Sequence, residues 1–128
     1  MRLKPAYIRS CWPWIREGLE EVKKLRGGTW RLEDAYAECV NGNAHLWICD
    51  DGFVIFKPIV DDYSGEKILL VWLAWGKKKG DLIDEYQDQI VEIARDQQFD
   101  VLRFYRHAKG PVEHNGWKKT YTIYDMEL

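Results

Sequence analysis

The stretch that most constrains this chain is residues 67–98, KILLVWLAWGKKKGDLIDEYQDQIVEIARDQQ. Ile68 to Trp75 carry no charge, so a strand over these residues must be covered on both faces. The turn Gly76-Lys77-Lys78-Lys79-Gly80 follows. From Asp81 onward, Leu82, Ile83, Tyr86, Ile90, Ile93 and Ala94 fall on one stripe of a long, otherwise acidic helix. A strand feeding a helix through a glycine-bracketed basic turn presents backbone N–H groups and a helix N-terminus to an anion. The strand–turn–helix junction around Gly76 to Gly80 is therefore the predicted ligand site. The helix also makes a crossover, which predicts that the apolar strand and the next one, 101–105, are parallel neighbours.

The N-terminal part supplies two helices before any long strand. Residues 2–8 allow a short strand interrupted by Pro5, suited to a sheet edge. Ser10 is a candidate cap for a helix over 10–26, with Pro13 in its first turn and Ile15, Leu19, Val22 and Leu25 at helical spacing. Thr29 is a candidate cap for a second helix, 29–40, in which Leu32, Ala35, Tyr36, Cys39 and Val40 share a face; Asn41-Gly42 is its left-handed stop. Strands 44–50 and 53–60 read as a hairpin around Asp51-Gly52, and Pro58 assigns the far end of the second strand to an edge or bulge. Asp61 to Glu66 is a turn. After strand 101–105 comes a polar segment, 106–116, and then a last strand over 117–124.

At 128 residues the chain suits one domain with a single core and no need of disulfides. The net charge of −2 gives no whole-chain attraction to nucleic acid or to an anionic membrane. No apolar run reaches the ~18–20 residues of a membrane span, and the N-terminus lacks a signal-peptide core, so a cytoplasmic setting is expected. Cys11, Cys39 and Cys49 are widely spaced and suit reduced thiols. The spacing Cys39…His45…Cys49 matches no closed zinc pattern, and no metal is expected. Seven Trp raise the aromatic share to 14%, which makes an aromatic surface for a protein partner a second candidate feature. Lys77 to Lys79, Arg103, Arg106, Lys109, Lys118 and Lys119, interleaved with Trp75, Tyr105 and Trp117, would suit a nucleotide, a single strand or a coenzyme phosphate.

The order β-α-α-β-β-β-α-β-(short α)-β over nearly the whole chain resembles the GNAT acyltransferase superfamily, a mixed, mostly antiparallel sheet flanked by helices. Val112-Glu113-His114-Asn115-Gly116-Trp117 resembles that family's Tyr-Glu-Lys-x-Gly-Phe segment, and Tyr124-Asp125-Met126-Glu127-Leu128 its Tyr-x-Met-x-x-Leu ending. The resemblance implies acetyl-coenzyme A as cofactor and an amine, on a small molecule or a protein, as acceptor. It assigns pantetheine pairing to Leu73, Ala74 and Trp75, and the pyrophosphate to Gly76, Lys77, Lys78, Lys79, Gly80 and Asp81. The acceptor would enter between helices 10–26 and 29–40.

The motifs also depart from the family pattern. Lys78 replaces the middle glycine of the usual loop, Asp81 puts a carboxylate at the helix end, and Val112 stands where the proton-donating tyrosine is usual. Aminolysis of a thioester needs a deprotonated amine and a proton for the leaving thiolate. The candidates for those roles are Glu66, Tyr105, His107 and His114. A fold kept with eroded cofactor motifs is similar to small GNAT-like proteins encoded by bacteriophages, which act in the virion or against the host. That implies, as the alternative, a catalytically silent binding protein in a bacterial host's cytoplasm or in a virion.

Overall fold

The computed structural model describes residues 2–77, 82–105, 116–120 and 122–128. Its strands are β1 (Lys4–Ala6), β2 (His45–Cys49), β3 (Gly52–Val60), β4 (Lys67–Gly76) and β5 (Val101–Phe104). The helices are α1 (Ile8–Arg26), α2 (Leu32–Val40), α3 (Leu82–Glu85) and α4 (Gln87–Asp96). The strands form one sheet in the order β1-β2-β3-β4-β5. The first four are antiparallel neighbours, and β5 joins β4 in parallel, as the crossover requires.

Both faces of the sheet are covered. Phe53, Ile55 and Leu73 pack with α1 and α2, while Val54, Phe56, Leu69 and Val71 pack with α3 and α4. Double coverage accounts for the unbroken apolar run of β4, since Ile68 to Val71 are all buried. Period-2 alternation along β3 sends Phe53 and Ile55 to one core and Val54 and Phe56 to the other. The expected stripes on α2 and on α3/α4 are the residues that pack. On α1, Ile15, Leu19 and Val22 are buried but Leu25 is not, because at 100° per residue it lies about 80° off the line of Ile15.

Several boundaries move. Helix α1 starts at Ile8 with Tyr7 as its cap residue, because Ile8 itself is buried in the α1/α2 core. Ser10 and Pro13 are therefore inside the helix, and Pro13 costs it the bond to the Arg9 carbonyl. Arg31 replaces Thr29 as the cap residue of α2. Its N–H donates to Asp34 Oδ2 at 2.7 Å, while Lys23 Nζ holds the Trp30 carbonyl and sits 4.9 Å from the Trp30 ring. The hairpin turns at Asp50-Asp51, since Cys49 pairs with Gly52. The long helix divides at Tyr86 (φ −106°, ψ 15°), although Tyr86 N–H to the Leu82 carbonyl and Ile90 N–H to the Tyr86 carbonyl carry the bonding across. Lys57 to Val60 extend beyond the end of β2, so among the described residues Pro58 does lie on an uncovered edge of β3. Residues 117–120 and 122–124 form no sheet pairing, contrary to the expected last strand. The expected short helix within 106–116 falls almost wholly outside the described residues.

Candidate functional site

The sheet opens at the middle of β4. Phe56 pairs with Val71 and Ile55 with Leu73, so Trp72 is an extra residue, a β-bulge. A bulge bends its strand and increases its twist. On the other side of β4, the last parallel pair is Val71 with Phe104. Past that pair, Leu73 to Gly76 stay paired with β3, and among the described residues no strand covers the opposite edge of Trp72 to Gly76. Among the described residues β4 thus runs on past the end of β5, a fork whose β4 prong has one edge that no described strand covers.

The bulge also changes which face the side chains occupy. Leu69 and Val71 point to α3/α4, whereas Trp72, Leu73 and Trp75 all pack on the α1/α2 face and Ala74 on the other. On the α1/α2 side, Trp75 Nε1 donates to Glu21 Oε2 at 2.9 Å, and its ring meets Trp14 edge-on at 6.2 Å. The Lys57 ammonium sits 5.0 Å from the Trp72 ring and 2.9 Å from Glu38 Oε2. On the α3/α4 side, Trp117 packs edge-on against Phe104 at 4.6 Å, and its Nε1 donates to Gln87 Oε1 at 2.9 Å. Helix α3 begins directly over the end of β4: a Cβ on Gly76 would lie 3.5 Å from Leu82 Cβ.

Of the predicted site residues, Leu73, Ala74, Trp75, Gly76 and Lys77 form the exit end of β4. Lys78, Lys79, Gly80, Asp81, His107 and His114 lie outside the described residues. The Lys77 N–H donates to the Asp51 carbonyl at 2.6 Å and its ammonium lies 5.7 Å from the Trp14 ring, so this lysine is engaged on the α1 side. Tyr105 follows the last parallel pair directly and is 55% exposed at the mouth of the fork. Glu66 lies in the turn before β4, six residues from Trp72 and so ~20 Å along the strand. Trp75 and Trp117 are on opposite faces, which divides the basic aromatic patch in two. Cys39 and Cys49 are likewise separated by the sheet, so the Cys39…His45…Cys49 spacing converges on nothing. Burial pushes the Cys39 thiol up to about 11, with Glu38 and Cys11 adding to the effect, and burial also raises Cys11.

Sequence reasoning missed Trp72, Lys57, Glu38 and Glu21. An all-apolar strand has no alternation to show a change of phase, so the bulge left no trace in the pattern of β4. Lys57 did leave one, as the lone charge in the otherwise apolar run Phe53 to Val60.

The element order and the covered, mostly antiparallel sheet with its one parallel crossover give this chain a GNAT-like fold. A protein from Pyrococcus furiosus assigned as an acetyl transferase superposes with a TM-score of 0.68 at 11% identity, covering 99% of this chain and 100% of its own. The ribosomal-protein-alanine N-acetyltransferase from Brucella melitensis biovar Abortus 2308 gives 0.66 at 12% identity, over 99% and 98% of the two chains. The aminoglycoside acetyltransferase meta-AAC0020 from an uncultured soil metagenomic sample, solved with sisomicin, gives 0.59 at 8% identity, over 93% and 96%. At these identities the likeness is one of fold. By sequence, no family model and no curated protein matches the chain.

Proposed function

We propose that this protein binds an acyl-coenzyme A, acetyl-coenzyme A in the simplest case, in the β4/β5 fork and transfers the acyl group to an amine. The observation that carries the reading is the bulge at Trp72 beside the last parallel pair, Val71 with Phe104. Past that pair no described strand covers the outer edge of Trp72 to Gly76, so their peptide groups suit the amides of a pantetheine arm, which are satisfied by the same hydrogen bonds a strand would make. The Gly76-Lys77-Lys78-Lys79-Gly80-Asp81 turn supplies cations for the phosphates, with Lys77 leaving Trp14 to do so. Tyr105 serves as the proton donor to the leaving thiolate, a role supported by its position directly after the last parallel pair and its 55% exposure. His107 and His114 follow it in the chain as candidate bases, and Glu66 is remote. The acceptor approaches on the α1/α2 face, where Glu21 and Glu38 favour a cationic amine on a small molecule or a protein.

Calorimetric titration with acetyl-coenzyme A tests this, beside a variant with Lys77, Lys78 and Lys79 all changed to Ala. The reading expects micromolar binding that weakens with salt and is lost in the variant. No binding at millimolar ligand overturns it.

Trp117 favours a second reading. It packs on Phe104 and is tied to the start of α4, so a ring already stands beside the fork. A non-catalytic binding protein, of the kind phages encode to act in the virion or on a host protein, has no need of an open cleft. Failure of the titration together with retention of one defined protein partner supports this reading.

A further inference from the structure

We infer that Lys57 is an internal acyl acceptor, a self-acylation site of this chain; the inference rests on the fork being an acyl-thioester site. Lys57 pairs with Leu70 on β4, and the adjoining pair, Phe56 with Val71, is the last before the bulge. Its backbone is thus one strand spacing, ~4.8 Å, from the point where β4 leaves β5. The ammonium is held on the α1/α2 face between Glu38 Oε2 at 2.9 Å and the ring of the bulged Trp72 at 5.0 Å. Both ion-pair side chains are partly withdrawn from water, at 35% and 29% exposure for Lys57 and Glu38. Among the described residues no other lysine ammonium forms an ion pair with a carboxylate, and Lys23, which also meets a ring, is spent on the Trp30 carbonyl.

The chemistry balances within this group of residues and the thioester. Glu38 takes a proton from the Lys57 ammonium, and the neutral amine attacks the thioester carbonyl carbon. A C–N bond forms, the C–S bond breaks, and the coenzyme thiolate leaves with the Tyr105 proton, which the second proton lost by the nitrogen restores. The amide product is uncharged, so once Glu38 has released its proton to water the carboxylate has no ion-pair partner at Lys57, and an apolar acyl group lies against Trp72. Acylation would therefore replace the cation on this wall of the acceptor face and uncover the Glu38 carboxylate to an incoming amine.

The test is incubation of the full chain with acetyl-coenzyme A, followed by chymotryptic peptide mass mapping, with calorimetry on the same sample. Exposed Lys24 serves as the reference for unassisted acetylation. The expected result is acetylation of Lys57 about tenfold or more faster than Lys24, saturating with ligand. Glu38→Gln slows it, and Lys57→Arg removes the adduct while coenzyme binding persists. Measurable binding with Lys57 modified no faster than Lys24 overturns the inference and leaves the fork reading standing. Absence of binding overturns the fork reading and the inference with it.

Discussion

Three residues show how local physics sets this structure, and each gives a test. Gly18 on α1 lies under two rings: an added Cβ would come within 2.5 Å of Phe53 Cε2 and 2.9 Å of the Trp75 ring. Gly18→Ala gains helix propensity of ~1 kcal/mol, yet overpacking costs ~1–3 kcal/mol, so a net loss in urea unfolding is expected. Gly52 is the stricter case, because its Cβ would meet the Trp75 carbonyl oxygen at 1.9 Å, a backbone atom that cannot step aside. Gly52→Ala should lower the urea midpoint by more than Gly18→Ala does. Asp34 adds a pH test. Hydrogen bonds from the Arg31 backbone N–H and side chain hold its carboxyl below the usual 3.8. A depressed carboxylate stabilises the fold fully above its unfolded-state pKa and ceases to do so as pH falls through the folded-state value. The stability deficit of Asp34→Ala should therefore be present at pH 6 and shrink progressively as pH falls below 3.8. At this scale the sequence was legible by composition but not by role. Gly52 read as half of a two-residue hairpin turn, and what it provides, as the first residue of β3, is close approach of two backbones.

At the scale of elements, burial decided what local signals did not. Helix α1 begins at Ile8 because an isoleucine stripe continues past the polar cap candidate Ser10. The stripe of α3 and α4 was readable from spacing alone, and it predicts where truncation hurts. Ile90 is fully buried, so Ile90→Ala should cost ~2–5 kcal/mol in chemical unfolding. On the opposite face, the raised thiol of Cys39 predicts slow chemistry. Its thiolate fraction at pH 8 is far below that of an ordinary cysteine, so alkylation by iodoacetamide in the folded chain should lag well behind that of the unfolded chain. The bulge at Trp72 is the element that sequence could not give. Strand pairing is a relation between three strands here, and Ile68 to Trp75 are apolar on either side of the phase change.

For the whole molecule, strand order, the parallel crossover and the two covered faces were legible because a long apolar strand followed by an amphipathic helix has few ways to bury both. No helix among the described residues is long and apolar enough to cross a membrane. The candidate site was legible in position, at the exit end of β4, but not in its partners. Lys57, Glu38 and Glu21 converge on it from β3, α2 and α1, which only the folded sheet brings together. The central claim is that the open prong of the fork, Trp72 to Gly76, receives an acyl-coenzyme A. Amide hydrogen exchange with and without millimolar acetyl-coenzyme A measures this most directly. The account predicts added protection at the amides of residues 72–76 that β3 does not engage, with no change in β1 or β2. Unchanged exchange in β4, or protection confined to another part of the sheet, would contradict it.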